Sequence, residues 1–370
     1  MEFVHISDVH YGMMPKQGNH KEVEKMLLDI VEICNERGSE LLLISGDLFH
    51  HIPDKEMLRE IDYILLKLLS TKTFIIAGNH DYMARGGIYE NYQFESNTYV
   101  FKPGNEYCNG DAMGINADIY GVSYNGINMW DEKDEEYFAS QYSLNKDKVN
   151  ILILHGGTKG QLDIDYKKFA DSEFDYVALG HIHKQETISD NVAYAGSLLP
   201  LDHTETGEHG YIIGNIDEMS AFPGKRTRIR FVPQKMRKFE EITVELNQYM
   251  TVLGVKERIL EKMCDKNAWY IIDFCGICTH GNVVMDGKQG ENALNLKELL
   301  GDGDDFQRIV EIRDMCRPFE DVEEIYISNK DNIIGRFIEK AQLLELDEET
   351  KELVLDYGLI ALKDGKGDWL

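Results

Sequence analysis

The chain has 370 residues, of which 43% are hydrophobic, and a formal net charge of −27 at pH 7. This length allows two domains and a small third segment. The strongly negative charge argues against a protein that binds a polyanion over most of its surface. No stretch approaches the roughly 20 apolar residues of a membrane helix, and the N-terminus has no signal-peptide pattern. We therefore expect a cytoplasmic protein that starts at Met1, has no membrane contact and keeps its six cysteines as free thiols.

Strands and helices alternate from the start of the chain. The strand F-V-H-I-S ends at Asp8, and apolar residues at helical spacing predict a helix over residues 20–37, which Gly38 ends. The buried strand L-L-L-I-S ends at Asp47, and a second helix begins after Asp54, a typical N-cap residue. The predicted apolar face of this second helix comprises Met57, Ile61, Leu65, Leu68 and Leu69.

The alternation continues to about residue 216. The strand T-F-I-I-A ends at Asn79, and further strands are predicted at 119–124, 150–154, 176–179 and 211–216. After residue 240, the strand E-I-T-V-E-L, a helix near 253–264 and the strand W-Y-I-I-D-F predict a small α/β unit, followed by helix over 333–364. The predicted domains are therefore 1–240, 241–325 and 326–370.

Five of these strands end in residues that can bind a metal ion. The candidate ligands are Asp8, His10, Asp47, Asn79, His155, His181 and His183. The carboxyl ends of strands in an open α/β sheet lie at one rim, so these side chains are expected to meet there. Side chains at positions i and i+2 of a strand face the same way, so His181 and His183 converge if the strand geometry persists.

The number and type of donors predict the kind of metal site. Seven nitrogen and oxygen donors exceed the roughly four ligands of one tetrahedral zinc and suit two cations that share a bridging carboxylate. Carboxylate, amide and imidazole donors without a thiolate favour manganese or iron, with magnesium or zinc as alternatives. Two metals about 3.5–4 Å apart are suited to in-line displacement at phosphorus.

Two further features have structural interpretations. Cys275 and Cys278 precede His280 and resemble half of a zinc site, but no second pair follows at a suitable spacing. Because they continue an apolar strand, free thiols are the favoured interpretation. His5 lies inside the first strand and is expected to be packed.

Five short motifs occur along the chain in the order D-V-H, G-D-L-F-H, G-N-H-D, H-G-G and G-H-I-H. This series resembles the motifs of the calcineurin-like metallophosphoesterase superfamily, and within it those of SbcD-type DNA double-strand-break repair nucleases. The full motifs cover residues 1–183, and a weaker likeness continues to residue 216. Tyr11 and A-G-S at 195–197 depart from the family pattern without changing a candidate ligand. The resemblance implies an α/β (α+β) fold, a four-layer sandwich of two mixed β-sheets flanked by helices, with a small α/β capping domain and C-terminal helices.

The resemblance also implies a role for each motif residue. Ligands of the first metal are matched by Asp8, His10 and His183, those of the second by Asn79, His155 and His181, and the bridging carboxylate by Asp47. His80 matches a catalytic histidine whose ring Asp81 orients. His50 matches a histidine that lies close to the scissile phosphate.

The function implied by this resemblance is that of a manganese-dependent phosphodiesterase, in which metal-activated water attacks the phosphodiester. It would act as a DNA exonuclease and endonuclease in repair or recombination. The implied partners are DNA, a second copy of the chain and an SbcC-like ATPase that binds the C-terminal helices. Two alternatives stay open: another phosphoesterase of the superfamily, such as a cyclic-nucleotide phosphodiesterase or phosphatase, and a catalytically silent scaffold that binds DNA or a partner. His50 and the long C-terminal extension favour the nuclease, and the complete ligand set favours an enzyme.

Overall fold

A computed structural model describes residues 1–13, 21–104, 106–126, 144–157, 169–170, 172–219, 226–236, 238–279, 282–286, 293–318 and 322–364. His280 lies outside these ranges. The chain divides into two compact units, of which the first comprises Met1–Glu241 and Asp265–Ile271 and the second Ile242–Cys264 and Ile272–Leu370. Among the helices of the described ranges, none is long and apolar enough to cross a membrane.

Two six-stranded mixed sheets form the first unit. The strands are β1 (Glu2–Ile6), β2 (Leu41–Ser45), β3 (Lys72–Ile76), β4 (Thr98–Val100), β5 (Tyr107–Asn109), β6 (Ala117–Gly121), β7 (Val149–His155), β8 (Tyr176–Gly180), β9 (Glu186–Ser189), β10 (Val192–Tyr194), β11 (Gly210–Ile216) and β12 (Thr227–Pro233). The helices are α1 (Lys21–Arg37), α2 (Lys55–Leu65), α3 (Ile88–Asn91) and a 3-10 helix at Gly110–Met113.

Both sheets are mixed: antiparallel pairing occurs at the β12 edge of the first sheet and at both edges of the second. The first runs in the order β12-β11-β1-β2-β3-β4, with β1 to β4 parallel to one another. The second runs in the order β5-β6-β7-β8-β10-β9, with β6, β7, β8 and β10 parallel. Because the central strands of each sheet are parallel, their carboxyl ends lie along one edge of that sheet.

Alternating side chains of these strands build separate cores on the two faces of the first sheet. On β2, Leu41 and Leu43 belong to a core shared with β6, β7 and β8 of the second sheet. Leu42 and Ile44 belong to a core shared with α1 and α2. The second sheet has its own outer apolar cluster, which includes Phe169. The predicted fold class, with two mixed sheets and flanking helices, is confirmed.

The predicted helices of this unit are present, with one correction. Gly38 follows α1 with a φ of +64°, and the Asp54 side chain caps α2 by accepting the backbone N–H groups of Glu56 and Met57. The predicted apolar face of α2 extended to Leu69, but α2 ends at Leu65 and Leu69 is 81% exposed. Leu69 is therefore not part of the core.

The second unit contains a small mixed α/β structure. Its elements, counting from the strand that leads into it, are β13 (Lys238–Leu246), α4 (Val252–Lys262), β14 (Ala268–Cys278), β15 (Val283–Val284), β16 (Leu294–Asn295), α5 (Leu296–Leu300), α6 (Asp304–Gln307), β17 (Ile309–Asp314), β18 (Arg317–Pro318), α7 (Val322–Asn329), α8 (Ile333–Gln342) and α9 (Glu348–Asp364). A sheet of order β13-β14-β17 carries β18 against β14.

The helix predicted over residues 333–364 is interrupted. α8 ends at Gln342, and the Asp347 side chain accepts the Thr350 backbone N–H at 2.9 Å, which caps a new helix. Cys278 is buried at the end of β14, as expected for a strand residue, and none of the six cysteines forms a disulfide.

Candidate metal centre

The carboxyl ends of β1, β2, β3, β7 and β8 bring the seven candidate ligands into one connected cluster. The contacts run, in order, through Asp8, His183, His10, Asp47, His155, Asn79 and His181. The two carboxylates are buried, with 0% of Asp8 and 1% of Asp47 exposed. Two buried carboxylates surrounded by imidazoles are a favourable environment for a cation.

One group within this cluster consists of Asp8, His10 and His183. A ligand atom from each lies within 4.8 Å of the others. The Nε2 atoms of His10 and His183 are 3.3 Å apart, and His183 Nε2 is 3.7 Å from Asp8 Oδ1. A cation between two such nitrogen lone pairs would satisfy both, so these three residues fit one metal ion.

A second group forms around Asn79. The Oδ1 atom of Asn79 lies 3.0 Å from His155 Nε2 and 3.1 Å from His181 Nδ1. Asp47 faces both groups, because its Oδ2 atom lies 3.4 Å from His155 Nε2 and 3.8 Å from His10 Nε2. Its position between the two groups is the one that a bridging carboxylate needs.

The backbone is strained at four of the candidate ligands. Asp8, His10, Asp47 and His181 have φ values of 49°, 51°, 49° and 94°, and in the described part of the chain they are the residues other than glycine with positive φ. Each such conformation costs of order 1–3 kcal/mol and persists only where the surrounding structure holds it. Such a concentration of backbone strain at four candidate ligands is typical of functional sites.

The two histidines that follow β8 do not meet through strand periodicity. The strand ends at Gly180, and His181 has a positive φ. Strand geometry therefore does not continue through His181 and His183, which was the condition for their side chains to face the same way. Instead, His181 faces Asn79 and His183 faces Asp8. Both rings reach the cluster, but in different groups.

Two glycines allow the strand ends to approach closely. A Cβ atom at Gly180 would overlap the Ser45 carbonyl oxygen, which accepts a hydrogen bond of 2.9 Å from His155 Nδ1. A Cβ atom at Gly46 would overlap the His155 ring itself, and the φ of Gly46 is +92°. Because His155 Nδ1 donates to the Ser45 carbonyl, Nε2 is the ring nitrogen that faces the cluster.

A third group, which consists of histidines only, adjoins the first group. His10, His50 and His80 place ring nitrogens within 4.8 Å of one another. His50 Nδ1 is 3.3 Å from His10 Nδ1, and the rings of His50 and His80 are stacked with centroids 5.5 Å apart. The exposed His80 ring donates from Nδ1 to the His50 carbonyl at 3.2 Å. The structure thus brings both predicted catalytic histidines to the edge of the cluster.

Asp81 is buried beneath these residues and contacts backbone. Its Oδ1 accepts the Gly78 N–H at 2.6 Å, and its Oδ2 accepts the Phe49 N–H at 3.1 Å. Burial, together with the neighbouring Asp47, raises the pKa of Asp81 to about 7. Asp81 therefore ties together the loops after β2 and β3, whereas the His80 ring has the His50 carbonyl as its hydrogen-bond partner.

The pKa values show which rings are ready to bind a cation. Burial lowers the pKa of His10 to about 3 and that of His181 to about 4, so both rings are neutral at pH 7 and offer lone pairs. Burial also acts against protonation of His155, but the facing Asp47 and Asp8 raise its pKa to about 9. Burial opposes ionisation of Asp47, while His155 and His10 hold its pKa well below the usual range. Asp47 thus offers an ionised carboxylate and His10 and His181 offer neutral rings, whereas a cation would have to displace the proton of His155.

One residue of the site was not singled out from the sequence. Glu205 accepts a hydrogen bond of 2.5 Å from His183 Nδ1. It lies in the segment H-T-E-T-G-E-H, where nothing in the local pattern distinguishes it from the nearby exposed Glu208. The signal is spatial, since Glu205 reaches His183 across 22 residues of chain.

A sequence profile of the family described as calcineurin-like phosphoesterase matches residues 1–185, which is half of the chain. The chain is also similar to a DNA double-strand break repair protein Mre11 from Methanocaldococcus jannaschii, with 32% identity over 213 residues. That alignment covers 53% of this chain and 56% of the Mre11 protein. The SbcD component of the nuclease SbcCD from Staphylococcus saprophyticus is 26% identical over 279 residues, which cover 65% of this chain and 71% of the SbcD protein.

Among solved structures, a dimetal phosphatase from Danio rerio aligns with 58% of this chain and 91% of its own chain. The sequence identity is 11%, and the TM-score is 0.35.

Proposed function

We infer that this chain, which belongs to the calcineurin-like phosphoesterase family, is a metal-dependent phosphodiesterase that cleaves DNA in repair or recombination. The observation that carries this proposal is the convergence of two carboxylates, one amide and four imidazoles from five strand ends into one cluster. The relatives described as a double-strand break repair protein and as part of a nuclease support DNA as the substrate.

The proposed centre holds two divalent cations. Asp8, His10 and His183 would hold one, Asn79, His155 and His181 the other, and Asp47 would bridge them. When bound, the cations would lower the pKa of a water to near neutrality and withdraw charge from the phosphate oxygens. The mixture of carboxylate, amide and imidazole donors favours manganese or iron, and manganese is the proposed metal.

Two histidines outside this ligand set would act on the substrate. The Nδ1 atom of His80 donates to the His50 carbonyl, so Nε2 of the protonated ring is the atom that would deliver a proton to the departing deoxyribose oxygen. His50 is stacked on His80 and faces His10, and these contacts support a role for its ring beside the scissile phosphate. Asp81 would support both by holding the two loops that carry them.

Surface features support two proposed partners. On α8 and α9, Ile333 and Tyr357 are 68% and 63% exposed, and these helices are proposed to bind an SbcC-like ATPase.

Near the end of α2, Tyr63 and Leu66 are also exposed, and this face is proposed to pair with a second copy of the chain. Light scattering that finds only monomers at micromolar concentration would exclude the dimer. A cytoplasmic location stays a prediction.

A manganese-dependent cleavage assay tests the proposed activity. The substrates are linear and hairpin-ended duplex DNA beside a cyclic nucleotide and a small phosphomonoester. We expect DNA cleavage that requires manganese and that falls about 10²–10⁴-fold in His80→Gln, because a general acid is lost. The exposed His51 provides the matched control, and His51→Gln should cleave as the wild type does. Hydrolysis of the small esters with all DNA left intact would contradict a nuclease and favour another phosphoesterase.

A further inference from the structure

We propose that Glu205 is a positioning residue for the metal site that contains His183. The inference rests on the proposed function, since it concerns a ligand of the proposed centre. Glu205 Oε1 lies 2.5 Å from His183 Nδ1. Because a carboxylate only accepts hydrogen bonds, Nδ1 carries the proton and Nε2 keeps the lone pair that faces Asp8 and His10.

The Glu205 carboxylate is itself fixed from several directions. Its second oxygen, Oε2, accepts the Leu201 backbone N–H at 3.0 Å and lies 3.3 Å from the Ser197 hydroxyl oxygen. The Glu205 backbone carbonyl accepts a hydrogen bond of 3.1 Å from His209 Nε2, and His209 Nδ1 lies 2.8 Å from Ser197 Oγ. Both carboxylate oxygens are thus engaged, so the side chain has little freedom to leave His183.

The same segment also anchors the backbone of His183. The Ser197 N–H donates to the His183 carbonyl at 2.9 Å. His183 is therefore held at its carbonyl by Ser197 and at its ring by Glu205, which fixes both the position and the tilt of the imidazole. Such a carboxylate behind a ligating histidine raises the basicity of the ligand and selects its tautomer.

The two proposed metal sites differ in this respect. His155, in the other site, donates from Nδ1 to the neutral Ser45 carbonyl, whereas His183 faces the Glu205 carboxylate. Removing the charge at residue 205 should therefore weaken one site selectively. The expected loss is about 10–100-fold in metal affinity at the His183 site.

The proposal is tested by titrating the full chain with manganese and monitoring the binding by calorimetry and electron paramagnetic resonance. Wild type should bind two ions and show the signal of a spin-coupled pair. Glu205→Gln should bind one ion with wild-type affinity, lose affinity for the other, and show the signal of isolated manganese. Glu208→Gln changes an exposed glutamate in the same segment and should match the wild type.

Two results would overturn the inference. Unchanged affinity for both ions in Glu205→Gln would show that His183 needs no carboxylate partner, and equal weakening of both sites would show a general structural effect. If Glu205→Gln does not fold, Glu205→Asp serves the same comparison, because it keeps the charge but withdraws it from His183. A wild type that binds fewer than two ions would instead contradict the proposed dinuclear centre itself.

Discussion

At the scale of single residues, His5 shows how a histidine beside the candidate metal centre can have a structural role. It is fully buried, with Nδ1 2.8 Å from the Tyr176 hydroxyl and Nε2 2.8 Å from Ser45 Oγ. Since His5 and Ser45 belong to the first sheet and Tyr176 to the second, the ring joins the two sheets through hydrogen bonds. Burial lowers the pKa of His5 to about 3.

This shift makes stability dependent on pH. Because the pKa is about 6.5 in the unfolded chain and lower in the folded one, the unfolded state binds the extra proton. The contribution of neutral His5 is complete above pH 6.5 and is lost as the pH falls, by up to about 1.4 kcal/mol per pH unit. In urea unfolding, the stability difference between wild type and His5→Gln should therefore narrow by about 2 kcal/mol between pH 7 and pH 5. A difference that stays constant across this range would contradict the assignment, and His51→Gln is the exposed control.

The place of each candidate ligand at the end of a strand could be predicted from sequence, but the orientation of its side chain could not. Each candidate ligand follows a recognisable strand, so its approximate place is fixed by the strand order. Which nitrogen faces the cluster depends on distant partners, such as Glu205 for His183 and the Ser45 carbonyl for His155. The partner of the His80 ring, the His50 carbonyl, is likewise a tertiary contact.

At the scale of elements, the parallel strands explain why the site could be located in advance. Hydrophobic runs predict where each strand lies, and a parallel arrangement brings the carboxyl ends of each sheet to one edge of that sheet. That the edges of the two sheets meet at one site depends on how the sheets pack, which strand order does not predict. Local irregularities escape such reasoning. The positive φ of His181 ends the strand periodicity, and the Asp347 cap divides the predicted C-terminal helix in two.

The two helices α8 and α9 give a prediction about the partner. Tyr357 on α9 is largely exposed, although it is aromatic and lies on a helix with other apolar side chains at the surface. If this surface binds the proposed ATPase, Tyr357→Glu should abolish co-purification of the two proteins, because a charge would be buried in the interface. DNA cleavage by the isolated chain should be unchanged.

Tyr249 provides the matched control for this substitution. It is also exposed, but it lies outside α8 and α9. Tyr249→Glu should therefore leave the complex intact. Recovery of the complex with Tyr357→Glu at wild-type yield would exclude this part of α9 as the binding surface.

At the scale of the whole molecule, the charge of −27 has to be reconciled with the proposed polyanionic substrate. The proposed centre offers local relief, because two divalent cations would add positive charge where phosphate must lie. The buried Asp8 and Asp47 are the groups that would require these cations. An acidic surface elsewhere would then disfavour nonspecific DNA binding.

The stoichiometry of manganese in wild type and in Asp47→Asn tests the central claim most directly. Asp47 is the residue whose carboxylate faces both ligand groups, so its neutralisation should affect both ions. We predict two ions per wild-type chain after equilibrium dialysis and at most one in Asp47→Asn, with manganese-dependent DNA cleavage lost. Two ions retained by Asp47→Asn, or one ion or none in the wild type, would contradict a dinuclear centre built around Asp47.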